Sequence, residues 1–105
     1  MVRILLICAA GMSTSLLVER MRKAAEDRNL EAEIEASTVA NFDSLYNKFD
    51  VILLGPQVRY RWAALAPKAE AAGIPFEVIN PVDYGTVNGE KVLDFALKLL
   101  AEKEK

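Results

Sequence analysis

Two short segments constrain the fold more than anything else in the chain: Val2–Cys8, which reads VRILLIC, and Asp50–Gly55, which reads DVILLG. Each is apolar at nearly every position instead of every second one. A strand tolerates this only when both faces are covered, as in the middle of a parallel sheet. Pro56 ends the second segment, because it has no N–H to continue a ladder.

The stretches between these segments follow two other rhythms. From Ser13 onward Leu16, Leu17, Met21, Ala24 and Ala25 recur at helical spacing, with Arg20, Lys23 and Asp27 turned elsewhere, predicting an amphipathic helix that ends near Asn29. Glu31–Ala36 alternates, with Ala32, Ile34 and Ala36 on one side and glutamates on the other, as expected of a strand at a sheet edge. Ser37–Lys48 is read as a short helix from the spacing of Val39, Phe42, Leu45 and Tyr46, although it lacks a capping box. A helix over Arg59–Ala72 carries Trp62, Leu65, Ala66 and Ala69 on its apolar stripe and stops at Gly73, with Pro67 expected to kink it or break it near Ala66. Ile74–Ile79 reads as a fourth strand, and Asn80–Gly89 as a turn-rich connection. Val92, Phe95, Ala96, Leu99 and Leu100 mark a final helix, and the tail Glu102–Lys105 is expected to fray.

Strands and helices therefore alternate along one domain, residues 1–105. The simplest fold for that order is α/β, a three-layer α/β/α sandwich around a four-stranded parallel sheet. The apolar segments belong in the middle and the glutamate-rich strand at an edge, giving the strand order 2-1-3-4. Connections then leave the first strand in opposite directions and open a crevice at the carboxyl ends of strands 1 and 3. Cys8 sits at its lip.

Several classes of function are disfavoured. The longest apolar run before Cys8, Ile4–Ile7, falls far short of the roughly 20 residues that span a bilayer. Met1–Ala10 lacks the pattern of a secretory signal, so a cytoplasmic location is expected. One cysteine and no histidine leave no internal disulfide and no ordinary metal site, and no cofactor is expected. Thirteen basic and fifteen acidic residues are interspersed without a basic stripe, which argues against nucleic acid as a partner.

The chemistry concentrates at the first loop. Cys8 is followed by Ala9, Ala10, Gly11, Met12, Ser13, Thr14 and Ser15, small and hydroxyl residues that run into a helix N-terminus. Such a loop aims backbone N–H groups inward, and with the positive end of the helix it suits a phosphate. The same field is expected to lower the thiol pKa and make Cys8 the nucleophile. A buried structural cysteine beside an ordinary helix cap is the alternative. The GxxxxGK[ST] nucleotide pattern is absent.

CAAGMSTSLLVERM at Cys8–Met21, VILLGPQVRY at Val51–Tyr60 and the segment around Tyr84-Gly85 resemble the IIB component of the lactose/cellobiose class of the bacterial sugar phosphotransferase system. The resemblance extends over essentially the whole chain. It implies that Cys8 receives a phosphoryl group from a phosphohistidine on a IIA protein and donates it to a β-disaccharide held by membrane-bound IIC. Cellobiose, chitobiose and lactose all remain open. It also implies a phosphate cradle from Ala9 to Ser15, a sheet in the order 2-1-3-4, and brief pair contacts that suit a monomer visiting the inner face of the membrane.

The same family fold is similar to that of the low-molecular-weight protein tyrosine phosphatases, whose loop is Cys, five residues, Arg, then Ser or Thr. Thr14 stands where that arginine would be, and Asn80-Pro81 stands in place of an acidic Asp-Pro. Asp83 is left as a possible acid, so a phosphatase-like enzyme is one alternative reading. A non-catalytic protein-binding domain, with Cys8 buried and unreactive, is another. Arg59, Tyr60, Arg61, Asn80, Asp83 and Tyr84 are candidates for the border of the site or for partner contact. Trp62, Phe95 and Tyr46 read as packing residues, and Met12 as a loop residue able to meet a partner.

Overall fold

The computed structural model describes residues 1–9 and 12–103, and of Met12 and Ser13 the backbone only. Four parallel strands, β1 (Val2–Ile7), β2 (Ala32–Ser37), β3 (Val51–Leu54) and β4 (Phe76–Val78), form a sheet in the order β2-β1-β3-β4. This is the order expected from two apolar middle segments and a glutamate-rich edge strand. Helix α1 (Met12–Asp27) and the last helix α5 (Gly89–Lys103) lie on one face; α2 (Phe42–Leu45) and α3 (Trp62–Ala71) lie on the other, and α4 (Pro81–Gly85) precedes α5.

The strand period of two divides the core. Ile4, Leu6, Val51 and Leu53 pack with Leu17, Met21, Val92 and Ala96. Leu5, Ile7, Ile52 and Leu54 pack with Phe42, Leu65, Ala69 and Phe76 on the opposite side. Both middle strands are thus buried on both faces, which is why their sequences do not alternate. The crossing of α1 and α5 is close: a methyl group at Gly89 would lie 2.5 Å from the Arg20 carbonyl carbon and 2.6 Å from the Met21 nitrogen.

Each open edge of the sheet is stopped by a side-chain donor. On β2, Glu31 and Ser37 turn their carbonyls to the β1 strand and its continuation, so the intervening Ile34 carbonyl faces outward. There it accepts from Arg22 Nε and Nη2 at 3.1 and 2.6 Å. At the far edge the outward Phe76 carbonyl accepts from Trp62 Nε1 at 3.1 Å. These bonds occupy groups that would otherwise template another strand. Trp62, expected in the core, therefore lies over β4 with its ring stacked on Phe76 and remains 38 % exposed.

Four local expectations are corrected. Ser37–Lys48 is not one helix but two 3₁₀ turns, Val39–Asn41 and Tyr46–Lys48, around the single turn of α2. Pro67 neither breaks nor ends α3; it lies inside the helix on its exposed side, as does Ala63, whose carbonyl would otherwise accept from position 67. The irregularity lies earlier, at Val58 in the 3₁₀ segment Pro56–Arg61. The fourth strand is only Phe76–Val78, flanked by single bonds from Ile52 N–H to the Pro75 carbonyl and from Ile79 N–H to the Leu54 carbonyl. Finally, Asn80–Gly89 contains α4: Asn80 Oδ1 accepts from Val82 N–H at 2.8 Å and Asp83 N–H at 3.4 Å, and Pro81 takes the first helical position.

Candidate functional site

Cys8 follows the last residue of β1, with its N–H bonded to the Ser37 carbonyl at 3.0 Å. Beside it, Gly55 N–H bonds to the Ile7 carbonyl at 2.7 Å. Cys8 is thereby held between the carboxyl ends of β2 and β3 and just ahead of α1, at the crevice that the strand order creates. Its side chain falls on the α1 and α5 side, like Ile4 and Leu6, and is 1 % exposed.

Two features shape the space around the sulfur. The first is Gly55, where an added methyl would lie 2.9 Å from Cys8 Sγ and 3.3 Å from its Cβ. The Gly55 backbone, φ −63° and ψ 142°, suits any residue, so the glycine is required for room and not for conformation. The second is a buried pair of hydroxyls. Thr14, in the first turn of α1, and Tyr84, in α4, stand 2.8 Å apart through their oxygens although 70 residues separate them in sequence. Both hydroxyls and the Gly55 backbone lie close enough to the Cys8 sulfur to favour its charged form.

Burial pushes the Cys8 thiol above its ordinary range, and the neighbouring Thr14, Tyr84 and Gly55 only partly offset this. The expected lowering by the loop and helix terminus is thus reversed, because removing a charge from water outweighs neutral donors at this depth. Free Cys8 rests as a thiol. Alkylation by iodoacetamide is therefore expected to be slow at neutral pH and to accelerate only above the ordinary thiol pKa of about 8.5. Stability carries the same sign. An unfolded thiol ionises first, so the contribution of Cys8 is full below about 8.5 and is lost as pH rises toward the folded value. The urea midpoint should fall as pH rises above about 8.5, and fall less in Cys8→Ala.

The other candidate residues divide among three hollows. Cys8 and Ala9 share a groove of about 210 Å³ with Thr38, Val39, Tyr60 and Arg61. Arg59, Tyr60 and Tyr84 border a second hollow of about 580 Å³ with Gln57 and Pro81. Arg59, Tyr60 and Arg61 are exposed, and neither arginine forms an ion pair with another described residue. Asn80 and Asp83 instead line a third hollow with Val78, Val92 and Phe95, which does not include Cys8. Ser15 is exposed on α1. Ala10 and Gly11 and the side chains of Met12 and Ser13 lie outside the described residues.

Sequence reasoning missed Gly55 and Gln57. The Gly55-Pro56 step after an apolar strand marked only a strand end, and nothing along the chain reveals that it faces a sulfur. Among the described residues there is no cluster of His, Cys, Asp and Glu able to hold a metal ion, and no helix long and apolar enough to cross a membrane.

Residues 3–95 match the family described as "PTS system, Lactose/Cellobiose specific IIB subunit". The chain belongs to this family. It is 49% identical over 102 residues to the cellobiose-specific EIIB component of Lactococcus lactis subsp. lactis, covering 92% of this chain and 94% of that protein. It is 48% identical over 102 residues, with the same coverage, to the galactose-specific EIIB component of Lactococcus lactis subsp. cremoris. The solution structure of the cellobiose-specific IIB component from Borrelia burgdorferi superposes with a TM-score of 0.82 at 46% identity, covering 97% of this chain and 94% of that one. As a IIB subunit the protein is a phosphotransferase, a carrier that moves a phosphoryl group between IIA and IIC proteins in disaccharide uptake. The family settles the choice among carrier, phosphatase-like enzyme and binding domain in favour of the first.

Proposed function

We propose that Cys8 is the residue that carries the phosphoryl group, that the backbone from Ala9 to Ser15 cradles it, and that Arg61 and Tyr60 border it. The observation that carries this reading is the placement of the chain's one cysteine at the carboxyl end of a central strand, at the head of α1, in a groove bordered by an arginine without an ion-pair partner among the described residues. Its sulfur attacks phosphorus on a phosphohistidine of IIA; the P–N bond breaks as the P–S bond forms, and the thiol proton ends on the departing imidazole. In the second step a sugar hydroxyl on IIC forms the P–O bond, the P–S bond breaks, and the hydroxyl proton ends on the sulfur.

The exposed Arg59, Tyr60 and Arg61 form a cationic rim suited to an anionic, phosphorylated partner face. The sugar is a β-disaccharide of the cellobiose, chitobiose or lactose type. Relatives named for cellobiose and for galactose are almost equally similar to this chain, which supports placing the choice of sugar in IIC. The protein works in the cytoplasm as a monomer that meets IIA and the inner face of IIC in turn.

A carrier must keep its phosphoryl group from water, and two residues support that behaviour. Thr14 offers no cation to the developing charge on the phosphoryl oxygens. Asn80 spends its side-chain oxygen on capping α4 and has no proton to give a leaving group. The purified phosphoprotein is therefore expected to persist at neutral pH and to leave an aryl phosphate essentially unhydrolysed. Rapid aryl phosphate turnover without accumulation of phosphocysteine would contradict the assignment.

A further inference from the structure

We infer that the Tyr84 hydroxyl, backed by Gln57 and flanked by Thr14, is the donor that steadies the Cys8 sulfur as it receives and releases the phosphoryl group. This rests on the reading of Cys8 as the phosphoryl site. Tyr84 is 7 % exposed, and a buried phenol requires a hydrogen-bond partner. Tyr84 pairs with the Thr14 hydroxyl at 2.8 Å, lies in the buried cluster that holds Cys8, and borders the same hollow as Gln57.

The polarity of the group follows from what each member can do. The phenol oxygen can accept from the Gln57 amide N–H, which borders the same hollow, and the phenol proton is then free to point at Cys8 or Thr14. Thr14 also reaches both Tyr84 and the sulfur. When sulfur carries negative charge, both hydroxyls turn toward it. When sulfur is bonded to phosphorus it accepts weakly, and the phenol proton has the Thr14 oxygen 2.8 Å away, so no buried donor is stranded.

During transfer to the sugar the electron pair of the P–S bond collects on the sulfur, where the two hydroxyls are already placed to receive it. The interaction is thus stronger in the transition state than in the phosphorylated ground state, as catalysis requires. The charged residues nearby lie elsewhere around the sulfur: Arg61 in the Cys8 groove, Arg59 on the outer side of Tyr84, and Asp83 in the third hollow. Tyr60, also titratable, stands exposed between the first two.

The test compares unaltered protein with Tyr84→Phe, which removes only the hydroxyl, and with Gln57→Leu, an exposed position where folding is not at stake. Alkylation of Cys8 is followed against pH, and phosphoryl transfer from phosphorylated IIA and back is timed. Tyr84→Phe should move the alkylation midpoint up by roughly one pH unit and slow transfer in both directions by about tenfold. Gln57→Leu should shift the same midpoint in the same direction by less. An unchanged midpoint in Tyr84→Phe, or a transfer loss that merely tracks a lower melting temperature, would overturn the inference. Phosphoryl label on a residue other than Cys8 in the unaltered protein would instead overturn the reading beneath it, whatever Tyr84 does.

Discussion

Replacing Cys8 with alanine is expected to leave a folded protein that accepts no phosphoryl group. The side chain is buried but small, and loss of its sulfur removes few contacts, so the cost in stability should be about 1 kcal/mol. Thr14 and Tyr84 remain partners for one another at 2.8 Å, so the substitution strands no buried hydroxyl. Transfer from phosphorylated IIA should fall by at least a thousandfold, since removal of a covalent nucleophile elsewhere costs on the order of 10⁶ in rate. Denaturant unfolding and single-turnover phosphorylation measured on the same preparation separate the two effects.

The second large effect is expected at Gly55, a residue with no chemistry of its own. Gly55→Ala places a methyl group 2.9 Å from Cys8 Sγ and 3.2 Å from Gln57 Oε1, closer than ordinary contact allows. The backbone there is an end of β3 tied to Ile7 and cannot retreat freely, so the sulfur side chain is the part that gives. A displacement approaching 1 Å costs a pre-organised reaction about a hundredfold. Overpacking should lower stability by about 1–3 kcal/mol. Phosphorylation should therefore suffer much more than folding, and a loss of rate in simple proportion to the loss of folded protein would contradict this account of Gly55.

What was legible in the sequence depended on whether the information was local. VRILLIC and DVILLG announce strands covered on both faces, and with the glutamate-rich Glu31–Ala36 at an edge they point to the sheet order without any tertiary fact. Asn80-Pro81 was ambiguous because both residues serve turns and helix starts; the capping bonds to Val82 and Asp83 decide for α4. Pro67 reads in the sequence as a kink or break near Ala66, because the sequence does not show that it and Ala63 are exposed. The loop around Cys8 was visible as small and hydroxyl residues ahead of a helix, but depth was not. That is why the direction of the thiol shift was missed, since the helix terminus is read from sequence while desolvation belongs to the packed molecule. Tyr84 was noted as a neighbour of the site, yet its bond to Thr14 joins positions 70 residues apart and no spacing rule reports it.

The central claim is that one thiol carries the phosphoryl group, and mapping the adduct tests it most directly. The protein is incubated with phosphorylated IIA, digested, and the modified residue located by mass spectrometry under conditions that preserve phosphocysteine. The account predicts label on the peptide containing Cys8 alone and none in Cys8→Ala. Label on a serine or threonine, or label that persists at the native rate in Cys8→Ser, would contradict it.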